Sequence, residues 1–295
     1  MHASEPSPPM TAAPGAPGAP DAPQPAPAAP GEAAPEPARA TIRLRTLGFA
    51  DPLRWLAAGW QDFRRCPAIG LFYGATFMVM GWALLAVYQH APAYMLALSA
   101  GFLLMGPFLC LGLYRASQRL EAGDKPDFGD SLLAWDTRTA QLGIFGFVLL
   151  VLEMLWGRST MVVFAVSFDG MPDFKGSLLA LLDPENIGFI VAWTVVGGLF
   201  AGLIFAISVV SIPMILHRQT DAITAGLTSL RLVLTQTPVM VFWGALITLV
   251  VGLSLLPWFA GLLLAGPVIG HASWHAYRQA VEDEAPAAAA VVPGP

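Results

Sequence analysis

Charge is what this sequence has least of. Only 12% of its 295 residues are charged, where an average soluble domain carries about 25%. Hydrophobic residues make up 56% and the mean hydropathy is +0.62. A deficit of charge over so long a chain points to lipid as the surrounding medium. The net charge of −5 comes with no clustered basic face, which argues against nucleic-acid binding. Cysteine is scarce as well. Cys66 falls at a membrane surface and Cys110 inside a span, so no disulfide framework is implied and both read as small apolar fillers. Motifs of soluble enzymes are missing: no phosphate-cradling GxxxxGK[ST], no GxSxG and no CxxC occurs. The longest segment between spans is about 25 residues, too short for a catalytic domain. No enzymatic activity and no cofactor are expected.

The first 40 residues lack both a basic n-region and an apolar h-region, so they do not read as a signal peptide. Pro, Ala and Gly dominate residues 1–40. Such a segment buries too little apolar surface to offset the cost of ordering, and disorder is expected there and at 283–295.

What is abundant is long apolar runs. A span needs about 20 apolar residues rising about 1.5 Å each. Six stretches meet that need: 68–88, 93–114, 142–166, 187–216, 239–256 and 258–277. The last two are parted only by Pro257 and Trp258, a tight hairpin. The fold class expected is all-α, a polytopic bundle of six transmembrane helices in three hairpins over residues 41–282. Lys and Arg set the orientation. Arg64 and Arg65 precede the first span, Arg115, Arg119 and Lys125 follow the second, Arg218 and Arg231 follow the fourth, and Arg278 follows the sixth. The opposite loops hold only Lys175 beside Asp169, Asp173, Asp183 and Glu185. Both termini are therefore expected in the cytoplasm of a bacterial-type cell, with the chain in the inner membrane.

A short amphipathic helix precedes the first span. Asp51-Pro52 reads as an N-cap followed by a first-turn proline. Leu53, Leu56, Trp60 and Phe63 share one face, with Arg54, Gln61, Asp62 and Arg65 on the other, and Pro67 ends the helix. Such a helix lies in the interface, its arginines toward anionic lipid. The design recurs at Asp221, with Ile223, Leu227, Leu230 and Leu234 on one face and Pro238 at the end. A weaker copy starts at Asp130, with Leu133, Trp135 and Ala140. Gly106-Pro107 and Gly266-Pro267 fall at matching places in the second helix of the outer copies. Residues 51–121, 129–219 and 221–282 thus read as parallel repeats of one unit.

The run LRTLGFADPLRWLAAGWQDFRRCPAIGLFYG and the run GPFLCLGLYRASQRLEAGDKPDFGDSLLAW resemble the bacterial integral membrane family called domain of unknown function 2189. The resemblance covers residues 43–282 and implies a polytopic inner-membrane protein with no assigned activity. The unit of interfacial helix plus hairpin is also similar, more loosely, to membrane domains attached to some glycerophosphodiester phosphodiesterases. No catalytic domain of that kind is present in this sequence.

Few residues carry candidate chemistry. Glu153 and Arg158 sit within the third span, where ionisable groups are costly and mark a pathway by default. Their spacing puts them roughly 140° apart on a helix, poor for direct pairing. The plain reading is that Arg158 snorkels outward and Glu153 bonds a neighbouring helix. His271 and His275 stand one helical turn apart, and His217 lies on the same side. Two such histidines can grip a metal, but no carboxylate or cysteine near in sequence completes a set, and polar helix-end residues are the ordinary reading. Pro107, Pro213 and Pro267 are potential kinks. Gly198-x3-Gly202 and Gly266-x3-Gly270 allow close helix packing. Two functional classes remain: a non-enzymatic protein that organises lipid or scaffolds an envelope complex, and a small-molecule or ion transporter using Glu153 and Arg158. Lipid is the one partner implied, with anionic lipid at the cytoplasmic face; protein partners and oligomeric state stay open.

Overall fold

A computed structural model describes residues 42–90, 95–167 and 187–282. The proline-rich region 1–40, the tail 283–295 and the outer segment 169–186 lie outside the described residues. Among those described, regular structure is helical apart from one antiparallel bridge between Leu44 and Val281. In chain order the helices are α1 (Asp51–Arg65), α2 (Pro67–His90), α3 (Met95–Glu121), α4 (Phe128–Leu132), α5 (Thr139–Ser167), α6 (Ile187–Ser208), α7 (Ser211–Arg218), α8 (Ala222–Thr235), α9 (Thr237–Leu255) and α10 (Leu262–Ala280).

Among the described residues, five helical segments are long and apolar enough to cross a membrane: α2, α3, α5, α6 together with α7, and α9. The sequence reading expects six, and α10 is the difference. Its second half carries His271, His275, Tyr277 and Arg278, which lowers its apolar character. Those residues are used at the end of the bundle capped by α1, α7 and α8. Here Trp55, Trp243, Trp274, Tyr277 and Met214 are shut off from solvent. Trp55 meets Trp243 edge to face at 5.4 Å, a favourable aromatic geometry. Around the spans the reverse holds: Leu103, Phe147, Val162, Val195 and Leu199 are exposed, as hydrocarbon solvent requires.

The short helices differ from expectation in an informative way. Helix α1 begins at Asp51 itself, after Ala50. The Asp51 carboxylate instead accepts the Gly48 amide at 2.7 Å. Its buried face is Trp55, Gly59, Asp62 and Phe63, while Leu53 (54%) and Trp60 (43%) are exposed. On α8, Asp221 caps as expected, accepting the Thr224 amide at 2.8 Å. The buried face is Ala222, Ala225, Thr228, Ser229 and Leu232. Ile223 (70%), Leu227 (61%) and Leu234 (68%) point outward. For α4 the cap is Asp127, which accepts the Asp130 amide; Asp130 is taken by Arg115 and Arg119 of α3 at 3.1 and 2.8 Å.

Proline has two outcomes. Helices α3 and α10 run on through Pro107 and Pro267. Pro213 instead sits in the first turn of α7, just after a break at Val209-Val210. Proline lacks the N–H that would bond the Val209 carbonyl, and α8 secures the break. Ser229 Oγ donates to the Ala206 carbonyl at 2.8 Å, and Ser211 Oγ donates to the Ala225 carbonyl at 3.0 Å. Of the glycine pairs, Gly270 packs on Leu113 and Gly266 on Phe77, whereas a Cβ built on Gly198 or Gly202 would meet no other helix within 4 Å among the described residues.

Candidate functional site

The strongest concentration of polar groups lies where α1, α3 and α10 meet. The helices come close because of glycine. A Cβ at Gly59 would fall 2.5 Å from the Val268 carbonyl oxygen and 2.7 Å from the Ala272 nitrogen. That contact brings Asp62 of α1 against His271 and His275 of α10. The Asp62 carboxylate is 5% exposed for its residue and needs compensation. It receives two donors at one oxygen: Ser117 Oγ at 2.8 Å and His275 Nε2 at 2.8 Å. Ser117 spends its only proton on Asp62, so its oxygen accepts from His271 Nδ1 at 2.7 Å. His271 Nε2 then faces Cys66 Sγ at 3.9 Å, and the thiol donates to the Asp62 carbonyl at 3.2 Å.

Burial works against ionisation of Asp62. The hydrogen bond and positive potential of His275, with the Ser117 bond, outweigh it and hold the carboxyl below the ordinary range. The Cys66 thiol moves the other way: burial first, then the Asp62 charge, push it up to about 11. At neutral pH it is a thiol, not a nucleophilic thiolate. The cluster is a closed, proton-sharing tie between three helices. Two further ties surround it. Glu121 accepts from Trp274 Nε1 at 3.0 Å and Arg278 Nε at 2.9 Å. Tyr277 Oη lies 2.9 Å from His217 Nδ1 and accepts from Arg218 Nε at 3.1 Å. Arg218 also reaches the carbonyls of Val281 and Glu282.

The three histidines are therefore not gathered. His271 and His275 share the Asp62 cluster, and His217 turns to Tyr277. Among the described residues no group of three or more His, Cys, Asp or Glu side chains is placed to hold a metal. Ser117 is not among the residues the sequence marks, Cys66 reads there as a small apolar filler, and Asp62 falls to the polar face of the short helix. A signal existed for Asp62: seven residues after Trp55, it stands only about 20° from it around a helix. Assigning it to the polar face by residue type hid that.

Glu153 is buried on the packed stripe of α5, with Leu142, Phe145 and Leu149. Arg158 is exposed on the same helix. No ion pair joins the two. Two cavities between the helices, about 540 and 630 Å³, are lined by neither residue.

No curated protein and no solved structure matches the chain. A family model matches residues 95–217, from α3 to α7, which contain the GPFLC run. The LRTLG run at 44–74 lies before it. Over residues 95–217 the chain is similar to the family described as a predicted integral membrane protein, DUF2189, and with five apolar helical segments among its described residues it is a multi-pass integral membrane protein.

Proposed function

We propose that this chain is a non-enzymatic membrane-organising protein of a bacterial inner membrane, built as six spans in three hairpins with both ends cytoplasmic. The observation that carries the reading is the outward apolar stripe of α8. Ile223, Leu227 and Leu234 are exposed while Ala222, Ala225 and Ser229 pack inward. Water would favour the opposite arrangement. Helix α1 exposes Leu53 and Trp60 in the same way, beside Arg54, Arg64 and Arg65, and α4 exposes Phe128 and Leu132, with Leu133 exposed just after it. Apolar faces of this kind insert about 5–10 Å into the headgroup boundary, and the adjoining arginines attract anionic headgroups. The order of one short helix and two long ones, met three times along the chain, supports the three-hairpin layout and three parallel repeats.

A transporter is the alternative, because Glu153 is buried within a span. Its position on the packed stripe, away from both cavities, favours a structural part in holding α5. Proteoliposomes separate the readings. The organising role predicts enrichment of a fluorescent anionic lipid around labelled protein, reduced about threefold by the double change Ile223→Asn and Leu227→Asn, with no flux of ions or osmolytes. Solute flux abolished by Glu153→Gln would decide for transport.

A further inference from the structure

We propose that the cavity of about 630 Å³ lined by α2, α3, α6, α7, α9 and α10 is a binding site for an acyl chain of a membrane lipid. The proposal rests on the chain being a membrane protein and is independent of the organising role.

The cavity is long. It runs from Ser99, Leu255 and Phe259 at one end to Tyr114, Ile212 and Ser273 at the other. Ser99 and Tyr114 belong to one helix and stand about 22 Å apart along it, a slot suited to an extended hydrocarbon chain. Its wall is mostly apolar, with Ser99, Cys110, Tyr114, Ser208 and Ser273 among its lining residues. Ser208 Oγ donates to the Ile204 carbonyl at 2.6 Å and Ser273 Oγ to the Ile269 carbonyl at 2.8 Å, so these hydroxyls spend their protons on their own helices. Water needs two to four polar partners to settle in a cavity, and this wall offers it little. Volume and lining fall in the range of small-molecule sites.

Two observations identify the occupant as lipid. Leu103 and Leu255 line the cavity and are themselves exposed, so the cavity is open at the surface of the bundle. The apolar wall is thus continuous with the surface that already meets hydrocarbon, and a chain enters sideways without crossing water. Second, the room is made by a missing side chain. Gly106 lines the cavity, and a Cβ placed on it would meet nothing within 4 Å. A larger residue there would project into the slot without disturbing a helix contact.

The test uses the full chain in vesicles of phosphatidylethanolamine and phosphatidylglycerol carrying a photoactivatable diazirine on one acyl chain. Cross-links are mapped by peptide mass spectrometry. Expected is strong labelling of Gly106, Phe205 and Ile247, reduced about tenfold by Gly106→Leu, while Gly101→Leu, also in open space, leaves it unchanged. If Gly106→Leu does not fold, Ser208→Phe serves the same purpose from α6. Labelling confined to the outer surface of the spans, or cavity labelling indifferent to both variants, overturns the proposal. So does displacement of the label only by polyprenyl lipid and not by unlabelled phospholipid.

Discussion

Asp62 is the residue on which the capped end turns. Its carboxylate joins α1 to α3 through Ser117 and to α10 through His275. Asp62→Asn removes the charge from both bonds and leaves the shape, at a cost of about 2 kcal/mol. The same residue makes stability depend on pH. Its pKa is lowered in the folded protein, so as pH falls the unfolded chain takes up this proton first. The Asp62 contribution is complete above the ordinary aspartate value of about 4 and is lost as pH falls through the lower folded value. Thermal melts in detergent from pH 7 down to pH 3 should show that loss in the parent protein and a smaller one in Asp62→Asn. Identical acid profiles for the two would remove Asp62 from this role.

At the scale of elements, α10 is the organiser. It packs along α1 and α2, and its end pairs with the segment before α1, where the Arg45 amide donates to the Ala280 carbonyl at 3.0 Å and the Glu282 amide to the Arg43 carbonyl at 3.1 Å. Gly59 and Gly74 permit the approach. At Gly74 a Cβ would lie 2.1 Å from the Leu263 carbonyl oxygen, the carbonyl Pro267 leaves without its helical donor. Gly59→Ala meets backbone on α10 and cannot be relieved by turning a side chain. We expect it to cost about 2–3 kcal/mol, to expose α1 to protease and to weaken the Trp55–Gln279 bond of 2.7 Å. Gly143→Ala, where nothing stands within contact, is the control. Equal melting and proteolysis of the two variants would show that α1 does not depend on this contact.

Across the whole molecule, the proposed orientation follows from arginine placement and is tested by labelling. Gln89 stands in the last turn of α2 and Lys125 follows α3; both are exposed. With an impermeant maleimide on intact cells, Gln89→Cys should react at once and Lys125→Cys only after lysis. The native background is low at Cys66, which is buried with its thiol pushed up to about 11. The opposite pattern would invert the protein in the membrane.

Much of this architecture was written in apolar run length, because a bilayer core admits little besides helices of sufficient reach. The Asp221 cap and the short helix before α9 were legible for the same local reason: they depend on neighbours a few residues away. What tertiary structure decided was which face of each short helix turns inward. Periodicity groups Ile223 with Leu227 but does not say whether protein or lipid receives them, and here the small residues opposite face the protein. It also decided the fate of the polar groups on α10. Their partners, Asp62 and Ser117, are more than a hundred and fifty residues away in the chain, at |i−j| of 213 for Asp62 with His275 and 154 for Ser117 with His271. No local pattern encodes a meeting that distant; it follows from three helices packing closely enough at Gly59 to bury a charge and its donors together.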